Sequence, residues 1–416
     1  MKLRLLNLLT ILAVALSAAA QSFTANECRG SRMPYPAPDS VVAAPDSLSP
    51  VMICHVGRHG ARYATSPERF LRVEATLMAH ADKLTPRGKR LLQVTQQAID
   101  ATADRWGDLD SLGIAEQQGI ARRLCLAFPQ LVVGQKITAI SSYVGRCVAS
   151  MNAFTGVLRR MQAGLGTITE DSGRQYSPLM RPFSTDSAYV VWAKEKPYLP
   201  ELDAYTSRMI PDRKVLDALI PGAGLADSDA TELVSSIYYV VSSLAAMGMA
   251  DADTAMNLLT PAEYNALWRI DNLRQYLSRT QTTLSTLPAD IAAPLMQSLI
   301  DEIDGFISGN DAATVRLHFG HAETLMPLLS LMRLKGCYYM TNYYDTVALH
   351  WKDFDIVPMA ANLQIVLFRT DKKDWCVRVD LNERPVPLLP NSDRIYTPWS
   401  EARDYLTRCL PLIMQP

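Results

Sequence analysis

Five consecutive residues carry the strongest chemical signal in this chain: Arg58, His59, Gly60, Ala61 and Arg62. They set one imidazole between two guanidinium groups across a glycine-bearing turn. Guanidinium forks match phosphate oxygens in shape and charge, and they stay protonated at any working pH. A neutral imidazole can attack phosphorus and carry the phosphoryl group as a covalent intermediate. The pattern therefore points to phosphoryl chemistry at His59, with Arg58 and Arg62 on the phosphate oxygens. A lone histidine beside a strand is more often structural, so this reading needs partners elsewhere in the chain.

Two further stretches supply them. Arg146 follows Ser141-Ser142-Tyr143-Val144-Gly145, and Gly320 is followed by His321-Ala322-Glu323. The three stretches together hold a nucleophile, a cationic clamp and a carboxylic acid. Phosphoryl transfer needs these parts, because its transition state spreads negative charge over the phosphate oxygens. The leaving oxygen also needs a proton, which Glu323 can give if its site raises its pKa.

The flanking residues identify the elements that must position these groups. Ile53-Cys54-His55-Val56 reads as a buried strand breaking into the turn at Gly57. Ile137-Thr138-Ala139-Ile140 and Thr314-Val315-Arg316-Leu317-His318-Phe319 read likewise, and a helix is expected after each of these two. A strand that delivers a cation to a helix start favours an anion there. In open α/β sheets, ligands bind at the carboxyl ends of strands. Strands are also expected over 362–368 and 375–381, with helices from Ser66-Pro67-Glu68 onward, from Pro86 towards Trp106, and over 116–128 and 401–410. Residues 109–113 read as a turn. The expected fold class is α/β, a three-layer core with a mostly parallel sheet flanked by helices.

Residues 171–310 change character. Helical periodicity over 231–249, 262–277 and 289–307 suggests a mainly helical cap inserted into the core, which would comprise 21–170 and 311–416. The Met and aromatic stripes of this region read as packing rather than as a cofactor site. His55 and His318, in or beside strands, read as structural.

Composition narrows the function. The chain has 416 residues, 48% hydrophobic and 20% charged, with a formal net charge of −1. Such a balance describes a well-folded globular protein and excludes a general nucleic-acid binder. Residues 1–20 read as a secretory leader: Lys2 and Arg4, an apolar run, then Ala18-Ala19-Ala20. Cleavage after Ala20 would remove two positive charges from the −1 total and leave −3. A periplasmic or secreted protein, free of the membrane after cleavage, is expected. The proline-bearing stretch 21–48 reads as an extended arm. Seven cysteines remain, with Cys337, Cys376 and Cys409 as candidate disulfide partners. No cysteine spacing fits a metal site, so none is expected.

The residues resemble a known family, the histidine acid phosphatase branch of the histidine phosphatase superfamily. Within it the chain looks like the multiple inositol polyphosphate phosphatases, which carry His-Ala-Glu where other members carry His-Asp. The resemblance rests on Arg58-His59-Gly60-Ala61-Arg62-Tyr63, Leu109-Asp110-Ser111-Leu112-Gly113-Ile114-Ala115-Glu116, Arg146-Cys147-Val148-Ala149-Ser150 with Ala153-Phe154, and His321-Ala322-Glu323-Thr324-Leu325. It implies that His59 becomes phosphohistidine. Arg58, Arg62, Arg146 and His321 would hold the phosphate, and Glu323 would protonate the leaving oxygen. No cofactor is implied. A substrate with many phosphates calls for more cations at the mouth. Arg69, Arg174, Arg181, Lys194 and Lys196 are candidates, with Arg181 favoured. The expected partner is an anionic small molecule of the inositol phosphate class, bound by a monomer. The competing readings are a broad-specificity phosphatase, and a non-catalytic phosphate-ligand binder that kept the fold.

Overall fold

The computed structural model describes residues 22–414, so the expected leader lies outside the described residues. Eight strands form one sheet: β1 (Leu48–Arg58), β2 (Lys136–Ser141), β3 (Thr167–Asp171), β4 (Ala313–Gly320), β5 (Asn362–Thr370), β6 (Trp375–Leu381), β7 (Arg384–Val386) and β8 (Tyr396–Pro398). The order is β3-β2-β4-β1-β5-β6-β7, with β8 also paired to β6. Strands β3, β2, β4 and β1 run parallel, whereas β5, β6 and β7 continue antiparallel. The change of direction falls between β1 and β5, which pair antiparallel although they are distant in the chain. A parallel pair needs a long crossover, whereas β5 and β6 are joined by a short turn.

The longer helices are α1 (Glu68–Ala79), α2 (Pro86–Thr102), α3 (Ser111–Ala127), α4 (Gly145–Gln162), α5 (Asp227–Ser243), α6 (Pro261–Arg279), α7 (Ala293–Ile307), α8 (Ala322–Leu331) and α9 (Trp399–Cys409). Alternation along β1 makes three layers. Ile53 faces α3 and α4 together with Val315 and Leu317. Met52, Cys54 and Val56 face α7, α8 and α9. A separate apolar core joins α1, α2 and α5 with Phe23, Cys28 and Met33 of the arm. The helical part therefore draws on residues outside 171–310, and α7 from within that stretch lies on the sheet.

Several local expectations change. Residues 111–113 are helical rather than a turn, because the Asp110 carboxylate accepts the Gly113 N–H at 2.8 Å and starts α3 there. Helix α1 begins at Glu68, with Pro67 rather than Ser66 at its cap. The stretch 289–307 is broken at Ile291 and Ala292. Strand β3 escaped the sequence pattern because it is a short edge strand with one apolar residue, Ile168. The arm is not merely extended: Glu27–Arg32 forms a 3-10 turn, and residues 28–32 are buried. All seven cysteines are free and buried, so the bridges considered for Cys337, Cys376 and Cys409 are absent. Cys376 packs on one face of the sheet, and Cys337 and Cys409 pack on the other.

Helix α3 and the turn after β1 meet without side chains between them. A Cβ on Gly60 would strike the Gly113 backbone, and a Cβ on Gly113 would strike the Ala61 carbonyl oxygen. Gly113→Ala should therefore force helix and turn apart. We expect a loss of about 2 kcal/mol or more in thermal or denaturant unfolding, the scale of core overpacking, with loss of activity. Unchanged stability and activity would show that the contact tolerates a side chain.

Candidate active site

Because β1, β4 and β2 are adjacent and parallel, their carboxyl ends lie side by side. Arg58 is opposite Gly320, and Ser141 is opposite Phe319. The three sequence stretches thus arrive at one place. Arg58, His59 and His321 are buried there, and Arg146 sits in the first turn of α4. The His59 and His321 rings lie 5.7 Å apart, edge to face.

His59 is oriented by its own turn. Its Nδ1 lies 2.9 Å from the Gly60 carbonyl, which can only accept. Nδ1 therefore carries the proton of the neutral ring and leaves the Nε2 lone pair free to attack. Burial, then Arg58, Arg146 and Arg62, hold the His59 pKa well below the usual histidine range. The ring is therefore neutral where an ordinary histidine would be charged.

Arg58 is a buried cation held by neutral groups. Its Nη1 donates to the Ser31 and Val357 carbonyls, both at 2.6 Å. Burial, reinforced by Arg62, lowers its pKa to about 9, which leaves it charged at acid and neutral pH. Arg62 turns its Nη1 back to the Tyr63 carbonyl at 2.7 Å. Arg146 lies 3.4 Å from His321 Nδ1, and Arg181 lies 3.2 Å from His321 Nε2. Arg58, Arg62, Arg146 and Arg181 also carry buried Nε groups for which no acceptor is found among the described residues. A phosphate oxygen is the acceptor such donors suit.

His321 occupies the cap position of α8. Its backbone N–H donates to Thr324 Oγ1 at 3.0 Å, and Thr324 donates in turn to the Met180 carbonyl at 2.7 Å. This ties the start of α8 to the segment that bears Arg181. Ser142 Oγ lies 3.0 Å from His321 Nε2, and burial lowers the ring's pKa to about 3. Arg181 also lies over Tyr143 and Phe183, with its guanidinium carbon 5.2 and 4.9 Å from their ring centres. Arg174 stacks on Tyr143 as well, at 4.4 Å. Of the other candidates, Arg69 stacks on Tyr239, and Lys194 and Lys196 are exposed at the end of the helix Ser187–Glu195.

Glu323 differs from the expectation of a raised pKa. Burial alone would raise it, but Arg279, then His321 and Arg58, outweigh burial and hold the carboxyl at about 2. The nearest cation is Arg279, whose Nη2 lies 3.5 Å from Glu323 Oε1, and the Glu323 side chain is 35% exposed. In the unliganded site it is a carboxylate.

Other residues that hold this site had no role assigned from the sequence. Glu116 accepts the Tyr35 N–H at 2.8 Å and the Ala61 N–H at 2.7 Å, which joins arm, turn and α3. Gln117 Nε2 donates to the Arg58 carbonyl at 2.9 Å, and the Gly60 N–H donates to Ser150 Oγ at 3.1 Å. Glu116 and Ser150 lie in the stretches that carried the resemblance, which was the available signal. Ser31, Val357 and Arg279 left none. His318 is structural, with Nε2 3.0 Å from Glu302, and His55 lies against Phe154 and Phe319. Among the described residues, no group of three or more His, Cys, Asp or Glu is placed to hold a metal ion.

The chain is similar in sequence and in fold to known proteins. The sequence model of the histidine phosphatase superfamily (branch 2) matches residues 52–382. Multiple inositol polyphosphate phosphatase 1 of Gallus gallus is 24% identical over 382 residues, covering 87% of this chain and 82% of that protein. The Homo sapiens protein of that name is 25% identical, covering 84% and 77%. The Bifidobacterium longum multiple inositol polyphosphate phosphatase, solved in complex with inositol hexasulfate, superposes with a TM-score of 0.74 at 18% identity, over 93% of this chain and 99% of that one.

Burial raises the Glu116 carboxyl to about 7, despite the two N–H groups it accepts. Glu116→Gln keeps the shape but turns an NH2 onto one of those N–H groups. It should cost about 1–3 kcal/mol, the range for leaving a buried donor unpaired, and lower activity by loosening the turn at Ala61. A variant with wild-type melting and activity would show that Glu116 does not hold the turn.

Proposed function

The chain belongs to branch 2 of the histidine phosphatase superfamily, and on that footing we propose that it is an exported phosphomonoesterase that strips phosphates from inositol polyphosphates through a phosphohistidine on His59. One observation carries this reading. A histidine with its Nε2 lone pair free faces Arg58, Arg62 and Arg146, with Arg181 next to its neighbour His321 and a part-exposed carboxyl, Glu323, on the same turn as His321. A binding site for phosphate has no need of the carboxyl, whereas a phosphatase needs it as a proton donor.

The reaction follows from that arrangement. The guanidiniums and His321 hold the phosphate oxygens and draw off their charge, so the neutral His59 Nε2 can attack phosphorus in line with the leaving oxygen. The P–O bond breaks with its electron pair on the inositol oxygen, which takes the proton of Glu323. Water then attacks the phosphohistidine with the Glu323 carboxylate as base, releasing phosphate and restoring both groups. The substrate class is supported by the names of the chicken and human relatives and by the inositol hexasulfate in the Bifidobacterium longum structure. Arg174 and Arg181, both stacked against Tyr143, suit further phosphates of such a ligand. For export, the support is the leader pattern of residues 1–20. No helix of the described residues is long and apolar enough to cross a membrane.

Phosphate release from inositol hexakisphosphate by the protein from residue 21, beside p-nitrophenyl phosphate, tests the assignment. His59→Ala should abolish both activities. Glu323→Gln should slow the hexakisphosphate by about 10²–10³-fold, as for loss of a general acid. It should slow p-nitrophenyl phosphate much less, because that leaving group needs little protonation. Equal losses would remove Glu323 as the acid. Activity on p-nitrophenyl phosphate alone would remove the substrate class.

The pH dependence has a definite sign. His59 titrates well below its ordinary value and His321 at about 3, so neither imposes an acid limb in the ordinary histidine range. The descending limb lies on the alkaline side, near the second phosphate ionisation at about pH 6, as the proton shared by substrate and Glu323 is lost. A loss of kcat/KM on acidification from pH 6 to 4 would overturn the neutral-histidine assignment.

A further inference from the structure

Arg279 is the last residue of α6, and its guanidinium reaches two groups. Nη1 donates to Tyr189 Oη at 2.9 Å, and Tyr189 donates to the Ser278 carbonyl at 2.9 Å, so this side is anchored in the fold. Nη2 faces Glu323 Oε1 at 3.5 Å, longer than a well-made charged hydrogen bond. The Arg279 Nε is buried, and no acceptor for it is found among the described residues. The guanidinium thus has one firm partner, one loose partner and a spare donor, and the loose partner is the residue assigned as the acid.

We propose that Arg279 is a positioning residue that keeps Glu323 a carboxylate in the empty site and releases it when a substrate phosphate group takes over the guanidinium. The proposal rests on the reading of Glu323 as the proton donor. The other groups facing Glu323 are Arg58 on β1, Arg146 and Cys147 at the start of α4, and His321 on its own turn. Tyr189 faces it from the Arg279 side. All the charged groups among these are cations, so an arriving phosphate lowers the positive potential at Glu323 from every side and removes its nearest partner as well. Protonation of the carboxyl then becomes favourable in the complex.

The proton comes with the substrate. A singly ionised phosphate monoester carries one P–O–H; bound among the arginines it gives that proton to the Glu323 carboxylate and becomes a dianion. The His59 Nε2–P bond forms, the P–O bond to inositol breaks, and the inositol oxygen takes the proton from Glu323. The free enzyme is unable to lose its acid by titration, because the acid is assembled only with substrate present.

The test is the pH dependence of kcat/KM for inositol hexakisphosphate and for p-nitrophenyl phosphate in the wild type, Arg279→Met, Arg279→Lys and Glu323→Gln, with the double variant Arg279→Met/Glu323→Gln. Without Arg279 the free carboxyl should take a proton earlier. An acid limb for the hexakisphosphate should move up by about one pH unit or more, Arg279→Lys should restore part of the shift, and the limb should vanish in the double variant. The p-nitrophenyl phosphate profile should stay put. A higher KM with an unmoved limb would make Arg279 a substrate contact alone and overturn the proposal. A Glu323→Gln variant that treats both substrates alike would instead overturn the acid assignment, independently of Arg279. Should Arg279→Met fail to fold, the wild type still decides. Binding of inositol hexasulfate, which brings no proton of its own, should take up about one proton near pH 4, read by calorimetry in buffers of different ionisation heat. No uptake would overturn the proposal.

Discussion

The structure depends on keeping a crowd of like charges together without neutralising them. Arg58 is the centre of the problem, a buried guanidinium with no carboxylate in ion-pair contact among the described residues. A carboxylate would settle it electrostatically but would also occupy the anion site. The fold uses the Ser31 and Val357 carbonyls instead, each presenting a partial charge that stabilises the cation without cancelling it. Both carbonyls come from segments remote from Arg58 in sequence, so the arm before β1 and the loop before β5 must be in place for the site to exist.

That requirement explains the buried polar structure around the arm. Gly30 adopts a left-handed conformation with φ of 60°, and a Cβ there would lie 2.7 Å from Asp353 Oδ2. The same Asp353 accepts the Ser31 N–H at 2.8 Å and the Trp268 Nε1–H at 2.9 Å. The arm is therefore docked through its backbone, and the Ser31 carbonyl that holds Arg58 is aimed by the N–H next to it. Glu116 completes the frame from the other side by pairing arm to turn. The cost is a set of buried carboxyls with raised pKa values, Glu116 to about 7 and Asp353 to about 6, driven by desolvation.

The field of the uncancelled cations sets the protonation of everything inside it. Two histidines are kept neutral, His59 beside Arg58 and Arg146, and His321 beside Arg146 and Arg181. The one carboxyl at the rim is kept ionised. The same charges that would bind phosphate thus make the free site unable to donate a proton, and substrate binding is what would reverse that state. Superfamily relatives reach the same sheet architecture with little sequence in common, as the Bifidobacterium longum enzyme does at 18% identity.

Much of the site was legible in the sequence because it lies at strand ends, and strand ends are local. Apolar runs breaking at Gly57, Ser142 and Gly320 mark where chains leave a buried sheet, and the fold brings the polar residues just beyond them together. The α/β class followed from the same runs, and the helices followed from period and caps. Short elements without an apolar pattern escaped: β3, the buried turn of the arm, and the early start of α3. What only the tertiary structure decided is how charges and carbonyls distant in sequence meet. Ser31 and Val357 on Arg58, Glu116 on Ala61, Arg279 on Glu323 and the separation of Cys376 from Cys337 and Cys409 all have this origin. A residue's type and spacing determine what chemistry it can do. Its protonation and its partners depend on distance and burial in three dimensions, which is why the sequence alone named Glu323 as an acid, whereas the fold sets it 3.5 Å from Arg279, which holds its pKa down.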